Sequence, residues 1–333
     1  MATFYDDWLA ADARSEHEFR QAKHVARDRD IPWVETPQDA MVKLMVCNSN
    51  GFATMGSDVL KAQIPVGWHT GKHAHGEESI HFLEGEGFSI VNGQRFDWHQ
   101  GSTLHIPYRA VHQHFNTGGT PALYLSGMCF SLERFFNLAK LYQYETCGPN
   151  DPAALARFPA MDGQYYADGA RALIHMEEAP EDDEFPGHNA VDASRNQHHR
   201  IKYLVQPQNG FRAKTVAVTA MWEEPAGTHS GRHKHLEAMI YAWSGRGMSE
   251  MEGSEEQWEA GDVLHVPPCM WEHEHFNNST ESYWQLQIRY GIRDWWQNVW
   301  PEGYSPQRIL DAQGRPIERG VIERVRERTL GPS

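Results

Sequence analysis

Two short sequence segments contain several histidines that could bind a metal or act in catalysis. Residues 69–75 read HTGKHAH, and residues 229–235 read HSGRHKH. Three histidines and one glycine keep the same offsets, 160 positions apart (229 − 69 = 160). Of the 20 histidines, eight lie in residues 67–116 and six in residues 227–277. The histidines are therefore concentrated in two similar regions.

The spacing within each segment predicts a row of ligands on one face of a strand. Side chains at alternate strand positions share a face, so His73, His75 and Glu77 would point the same way. His233 and His235 would do the same with Glu237 in the second region.

Later in each region a second histidine pair has the same alternate spacing. The pairs are His112 with His114 and His273 with His275. So many inward imidazoles without an ion would leave unpaired polar groups, so they predict metal sites. The predicted ligands are His73, His75, Glu77 and His112 in the first region, and His233, His235, Glu237 and His273 in the second.

Imidazoles with at most one carboxylate and no thiolate suit Fe(II), Mn(II), Ni(II), Cu(II) or catalytic Zn(II), and argue against structural zinc. Three or four protein ligands leave coordination positions open for a bound molecule.

The elements that must position these histidines also repeat. WHQGSTLHIPYRAVHQHFN at 98–116 is matched by WEAGDVLHVPPCMWEHEHFN at 258–277, which contains one extra residue. The simplest explanation is a duplicated domain. Short alternating runs such as SIHFL, FSIV and MIYAW, separated by Gly, Asn and Pro, favour antiparallel strands in a sandwich or barrel.

Helical periodicity is confined to the flanks of the two copies. DDWLAADARSEHEFRQAKHVA, LERFFNLAKLYQYE and ERGVIERVRERTL are interpreted as helices. The predicted organisation is an N-terminal helical lead at 1–45, a first barrel at 46–128, a helix and irregular linker at 129–200, a second barrel at 201–290 and a C-terminal helical tail at 291–333.

Composition limits the class of partner. The chain has 333 residues, 40% of them hydrophobic and 23% charged, which is typical of a globular protein. A net charge of −15 disfavours nucleic acid and anionic membrane surfaces, and favours a small molecule. The acidic start lacks a signal-peptide pattern, so we expect a cytoplasmic protein.

At the level of motifs the sequence resembles the cupin superfamily. Its first motif is similar to Gly67, His73, His75 and Gly85, and again to Gly227, His233, His235 and Gly245. Its second motif is similar to Gly101, Pro107, His112 and Asn116, and to Gly261, Pro267, His273 and Asn277 with one inserted residue. The resemblance implies an all-β fold with flanking helices, built of two tandem cupin barrels of the double-stranded β-helix, or jelly-roll, type.

The cupin motif usually adds a glutamate ligand, and here its position is ambiguous. Glu77 and Glu78 both follow the first histidine pair at a shorter gap than usual. We prefer Glu77, because it matches Glu237 in register and in strand parity. The alternative is that both are surface residues at a turn and that three histidines alone hold the ion.

Among two-barrel cupins, the tracts VHQHFN, HEHFN and LEGEG resemble those of gentisate 1,2-dioxygenase and related ring-cleaving enzymes. The resemblance implies Fe(II), with Mn(II) or another divalent metal as the alternative. It also implies a hydroxylated aromatic substrate of the gentisate, hydroxynaphthoate, salicylate or hydroquinone type, and O2. Strand edges in such proteins often pair between subunits, so we expect a homo-oligomer.

Several other residues are candidates for roles around these metals. His114 and His275 would orient substrate or move protons. Arg109 and Arg246 could bind a substrate carboxylate. Trp243 and Trp271 lie closest to the motifs and could stack on a flat substrate, although core packing and a subunit interface are equal alternatives.

Two other functions remain open. One is a different metal-dependent reaction of a two-barrel cupin, such as Mn-dependent decarboxylation or β-diketone cleavage. The other is non-catalytic binding of a ligand, which is disfavoured because both histidine sets are intact.

Overall fold

A computed structural model describes residues 3–138, 140–160, 163–181, 200–230 and 232–290, without the side chains of residues 208, 217–220 and 233. The predicted C-terminal tail at 291–333 lies outside the described residues. Before the first barrel come α1 (Phe4–Leu9), α2 (Ala11–Gln21) and β1 (Val25–Ala26). Thr3 caps α1 by accepting a hydrogen bond from the amide of Asp6.

The first copy is built of short antiparallel strands. They are β2 (Met41–Val46), β3 (Asp58–Ile64), β4 (Trp68–His69), β5 (Lys72–Ala74), β6 (Glu78–Glu84), β7 (Glu86–Val91), β8 (Gln94–His99), β9 (Ser102–Ile106), β10 (His112–Asn116) and β11 (Ala122–Met128). The segment that follows contains α3 (Phe130–Phe135), β12 (Tyr142–Glu145), β13 (Gly148–Pro149), α4 (Pro152–Leu155) and β14 (Leu173–His175).

The second copy repeats this arrangement. Its strands are β15 (Arg200–Tyr203), β16 (Val216–Glu224), β17 (His233–Lys234), β18 (Ala238–Ala242), β19 (Arg246–Met251), β20 (Ser254–Glu259), β21 (Val263–Val266), β22 (Glu272–Asn277) and β23 (Tyr283–Tyr290).

Each copy forms two facing antiparallel sheets, which together make a barrel. In the first copy one sheet has the order β14-β9-β6-β11-β3-β2, and the other is built around β10, which pairs with β4, β5 and β7. In the second copy the orders are β1-β21-β18-β23-β16-β15 and β17-β22-β19-β20. The fold is therefore mostly β, with two tandem cupin barrels, as predicted.

Apolar packing fills each barrel and also joins the two. Inside the first barrel, Phe82 stacks on Trp98 with ring centroids 3.8 Å apart. A second core combines residues of both copies, including Leu125 and Ile288. At this interface Gly127 allows close approach, because a Cβ built there would lie 2.9 Å from Ile288 Cγ2. The two barrels thus share a buried interface.

The flanking segments differ from the prediction. The helix expected through LERFFNLAKLYQYE ends at Phe135, and Asn137 then adopts a positive φ of 55°. Tyr142–Glu145 is a strand that pairs with β5. The linker also supplies β14, which pairs with β9 of the first barrel. Parts of the predicted irregular linker thus extend the first barrel's sheets.

The N-terminal segment also ends differently from its helical pattern. The helix stops at Gln21, and β1 joins the second barrel by pairing Val25 with Leu264. In the part of the chain that is described, no helix combines the length and the apolar character needed to span a bilayer.

Candidate metal centre

Two neighbouring strands bring three predicted ligands of the first copy together. His73 on β5 lies directly opposite His112 on β10 in the strand register. His75 follows the end of β5, and its ring lies 4.9 Å from that of His112, centroid to centroid. One ligand nitrogen from each of the three rings lies within 4.8 Å of the others, and all three residues are buried.

Backbone carbonyls fix the orientation of all three imidazoles. The Nδ1 atoms of His73, His75 and His112 lie 2.8, 3.1 and 2.8 Å from the carbonyl oxygens of Gly71, Gly76 and Ala110. An imidazole that donates from Nδ1 keeps a lone pair on Nε2. Hydrogen bonds from Nδ1 to a backbone carbonyl fix the tautomer and the ring orientation of a histidine that binds a metal.

The atoms that face the middle of this cluster have no hydrogen-bond partner in the protein. They are Nε2 of His75, Nε2 of His112 and Oε2 of Glu78, all buried. Buried polar atoms normally have a hydrogen-bond partner, so three convergent atoms without one fit the coordination of a cation. Three imidazole nitrogens with one carboxylate oxygen are a donor set for a divalent transition metal.

The carboxylate at this centre belongs to Glu78 and not to Glu77. Glu78 Oε2 lies 3.4 Å from Nε2 of both His75 and His112, and Ser126 donates its hydroxyl to the other oxygen. The preference for Glu77 was wrong because β5 ends at Ala74 and β6 begins at Glu78, so strand parity does not carry across the break. The position that supplies Glu78 is Ala238 in the second copy.

Glu77 is instead bonded to the second barrel. Its Oε1 accepts a hydrogen bond from His105 Nε2 at 3.0 Å. Its Oε2 accepts from the backbone amides of Lys214 at 2.8 Å, Thr215 at 2.5 Å and Val216 at 3.0 Å. Burial alone would raise the pKa of Glu77, but the bond from His105 and these amides lower it.

Glu237 makes the equivalent contact in the opposite direction, with the first barrel, and it is not at the second histidine cluster. Its Oε1 accepts from His265 Nε2 at 2.9 Å and from the Met55 amide at 3.0 Å, and its Oε2 accepts from the Ser57 hydroxyl. Both predicted glutamate ligands therefore lie between the barrels.

The second copy keeps the histidine geometry where it is described. Nε2 of His235 and Nε2 of His273 are 3.0 Å apart. Their Nδ1 atoms face the carbonyls of Leu236 and Trp271, as in the first copy. His233 pairs with His273 in the backbone register, but its side chain lies outside the described residues.

The predicted acid–base histidines are next to the clusters. The ring of His114 lies 5.5 Å from that of His112, and the ring of His275 lies 5.5 Å from that of His273. His114 Nδ1 lies 2.7 Å from Ser89 Oγ, which also accepts from Trp98 Nε1. Ser249 and Trp258 repeat this contact at His275.

Burial controls protonation around the first cluster. It lowers the pKa of His114 to about 3 and holds the pKa of His73 well below its usual range. Burial would also lower the pKa of His75, but the charge of Glu78 raises it. His75 and His112 in turn hold the pKa of Glu78 well below normal, despite its burial.

The side chains of the four predicted substrate-binding residues contact groups outside the clusters, although the Arg109 amide donates to the His75 carbonyl at 2.8 Å and the Trp271 carbonyl faces His273. Arg109 is exposed and donates to the carbonyl of Leu138, and Arg246 is exposed beside Glu259. The ring of Trp243 packs 5.0 Å from that of His81 at the interface between the barrels.

Trp271 packs against the N-terminal region, with its ring 6.5 Å from that of Phe19. The closeness of Trp243 and Trp271 to the motifs in the sequence did not reveal where their side chains point, because neighbouring residues of a strand face opposite sides.

A second group of possible ligands among the described residues lies on the surface. It comprises His99, His175 and Glu177. The two imidazoles stack at an interplanar angle of 12°, and Glu177 lies 3.2 Å from His99 Nε2. Parallel rings direct their in-plane lone pairs side by side, so this group does not converge on an ion as the buried cluster does.

Sequence comparisons match parts of the chain to known proteins. The family model for the cupin domain matches residues 61–128. An uncharacterized protein of Methanocaldococcus jannaschii is 28% identical over 96 residues, which are 28% of this chain and 75% of that protein. Residues 61–128 therefore match a cupin domain in sequence, and the chain has a two-barrel fold.

Solved structures share the fold at low sequence identity. A variant of salicylate 1,2-dioxygenase from Pseudoaminobacter salicylatoxidans in complex with gentisate is 17% identical, with a TM-score of 0.51 over 70% of this chain and 72% of that one. A variant of Bacillus subtilis oxalate decarboxylase is 14% identical, with a TM-score of 0.63 over 84% of this chain and 82% of that one. At these identities the likeness shows the fold alone.

Proposed function

We propose that this protein is a metal-dependent bicupin dioxygenase that cleaves the ring of a hydroxylated aromatic compound with O2. The observation that carries the metal-dependent part is the buried cluster of His73, His75, His112 and Glu78, whose orphaned atoms converge. Fe(II) is the proposed ion, and Mn(II) or another divalent metal is the alternative.

Two observations support the aromatic ring as substrate. The motif tracts VHQHFN, HEHFN and LEGEG resemble those of gentisate-type enzymes. The fold is shared with a salicylate dioxygenase whose structure contains gentisate. A substrate of the gentisate, hydroxynaphthoate, salicylate or hydroquinone type follows from these likenesses.

A divalent transition metal bound here would supply a Lewis acid and a redox partner for O2, which side chains lack. The protein's contribution is to orient the ligands through the carbonyls of Gly71, Gly76 and Ala110. Phe82, which stacks on Trp98 in the barrel core, has its ring 6.4 Å from that of His114, so apolar side chains also border the cluster.

His114 is the proposed proton-handling group of the first barrel. Trp98 can only donate, so Ser89 Oγ accepts from it and can direct its own proton to His114 Nδ1. In that arrangement the proton of the neutral imidazole is on Nε2, where it can be donated to a substrate oxygen. His275 has the equivalent partners Ser249 and Trp258 in the second barrel.

The test is oxygen uptake by protein purified without oxygen and reconstituted with Fe(II). Gentisates, hydroxynaphthoates, salicylates and hydroquinones are screened with an oxygen electrode. We expect substrate-dependent uptake that is lost when the metal is removed. Full activity of the metal-free protein would refute the proposal.

A Mn-dependent decarboxylase is the second candidate. Glu78 supports this candidate, because a glutamate as fourth ligand is typical of oxalate-type decarboxylases. The resemblance to gentisate-type enzymes instead implies a metal held by three histidines without a glutamate. The oxalate decarboxylase fold also covers more of this chain. Release of CO2 from a carboxylic acid without net oxygen consumption, by the Mn(II) form, would favour this candidate over the dioxygenase.

A further inference from the structure

We propose that Glu77 and Glu237 are positioning residues through which each barrel orients a metal ligand of the other barrel. We define the interbarrel clasp as Glu77 with residues 214–216, together with Glu237 with Met55 and Ser57. This inference rests on the proposed metal centres, but not on the reaction that they catalyse.

The first half of the clasp is a continuous chain of bonds from the second barrel to a ligand. The amides of residues 214–216 hold the Glu77 carboxylate. Glu77 shares a peptide group with Gly76, and the Gly76 carbonyl faces His75 Nδ1 at 3.1 Å. Fixing Glu77 therefore fixes the plane of the peptide that orients the His75 imidazole.

The second half repeats this chain in the opposite direction. Met55 and Ser57 of the first barrel hold the Glu237 carboxylate. Glu237 shares a peptide group with Leu236, and the Leu236 carbonyl faces the Nδ1 atom of His235. Each centre is thus supported by backbone or hydroxyl groups of the opposite barrel.

Close packing makes the first half rigid. A Cβ at Gly76 would lie 1.4 Å from Oε2 of Glu133, so the side chain of Glu133 rests directly on the Gly76 backbone. Glu133 Oε1 accepts from the Thr215 hydroxyl at 2.8 Å and from the Glu77 amide at 3.3 Å. The peptide that orients His75 is therefore held from two directions, and both reach Thr215 of the second barrel.

The pairing with histidine completes the clasp in both halves. His105 and His265 occupy matching strand positions and each donates to its glutamate, at 3.0 and 2.9 Å. In both copies the glutamate follows a ligand histidine by two residues, so its backbone adjoins the peptide whose carbonyl faces that imidazole. Partners that orient a ligand typically change metal affinity by about 10- to 100-fold when removed.

The experiment measures each centre with the other disabled. His73→Ala leaves the second centre, and His273→Ala leaves the first. Ser57→Ala is placed in the His73→Ala chain and Thr215→Val in the His273→Ala chain. Both full-length proteins are titrated anaerobically with Co(II), whose visible absorption reports affinity and coordination geometry.

We expect each substitution to weaken Co(II) binding in the opposite barrel by about 10-fold or more and to change its spectrum. Thr103→Val is the matched control, because Thr103 is also buried near the interface and bonds His81 Nδ1 at 2.8 Å, away from the ligand carbonyls. We expect the control to lower thermal stability without changing Co(II) affinity.

Equal Co(II) affinities and spectra in all variants would overturn the proposal and leave the clasp a purely structural contact. Failure of either single-centre parent protein to bind Co(II) would overturn it for that barrel. A clasp effect on Co(II) binding in a protein that consumes no oxygen would refute only the proposed dioxygenase.

Discussion

Truncation of two adjacent glutamates is expected to affect two different quantities most strongly, the stability of the metal-free fold for Glu77 and the metal affinity for Glu78. Glu77→Ala removes the acceptor for the amides of Thr215 and Val216 and for the His105 side chain. Each buried donor left unsatisfied costs about 1–3 kcal/mol, and breaking a buried charged pair costs about 3–5 kcal/mol. We therefore expect Glu77→Ala to lower the free energy of unfolding of metal-free protein by about 3–5 kcal/mol.

Glu78→Ala instead removes one oxygen that has no hydrogen-bond partner in the protein and one that accepts only from the Ser126 hydroxyl. It also reproduces the second copy, which has Ala238 at this position. Loss of a charged ligand should weaken metal binding at the first centre by at least about 100-fold, which corresponds to about 2.7 kcal/mol.

Urea unfolding of the metal-free proteins and Co(II) titration of the first centre, in the His273→Ala chain, measure the two effects. The assignment of the two glutamates would be refuted if Glu78→Ala bound Co(II) as tightly as the parent. It would also be refuted if Glu77→Ala changed the free energy of unfolding by less than about 1 kcal/mol.

Two further predictions concern buried titratable groups. Burial raises the pKa of Glu224 to about 8, despite hydrogen bonds from Trp222 and Thr228. The unfolded chain then ionises Glu224 more readily, so between pH 4.5 and 8 stability should fall with rising pH, by at most about 4 kcal/mol. Glu224→Gln should remove this part of the pH dependence in urea unfolding at pH 5 and pH 8, and an unchanged profile would contradict it. His114→Ala should lower kcat by about 10²–10⁴-fold while metal content stays constant, and an unchanged kcat would exclude acid–base work by this residue.

The duplication and the barrels were predictable because they depend on local patterns. Strand parity and turn residues repeat with a fixed offset, and His73 opposite His112 follows from folding one strand onto another. The hydrogen bonds from these rings to backbone carbonyls depend on the backbone conformation, which the spacing of histidines in the sequence does not reveal.

The choice between Glu77 and Glu78 failed because it assumed that strand parity continues through residues 75–77, which lie between β5 and β6. Glu78 stands seven residues before Gly85, and Ala238 stands seven before Gly245. Counting from the turn or from the histidines gives the same alignment, with Glu77 matched to Glu237 and Glu78 to Ala238, so position in the sequence alone does not select the carboxylate at the centre.

The roles of Arg109 and Trp271 were not accessible from sequence. Arg109 adopts a positive φ of 61° and turns to the carbonyl of Leu138. Trp271 is covered by the N-terminal segment, more than two hundred residues away in the chain, where its Nε1 faces Glu16. Contacts of this kind depend on long-range packing.

The most direct test of the central claim is elemental analysis of protein purified without oxygen, followed by oxygen uptake with the hydroxylated aromatic compounds named above. We predict close to one divalent metal ion per intact centre, and uptake that requires both metal and substrate. His73→Ala and His233→Ala, made separately, should show which barrel carries turnover. Full activity of metal-free protein, or unchanged turnover in both variants, would contradict the claim that metal bound by these histidines carries the reaction.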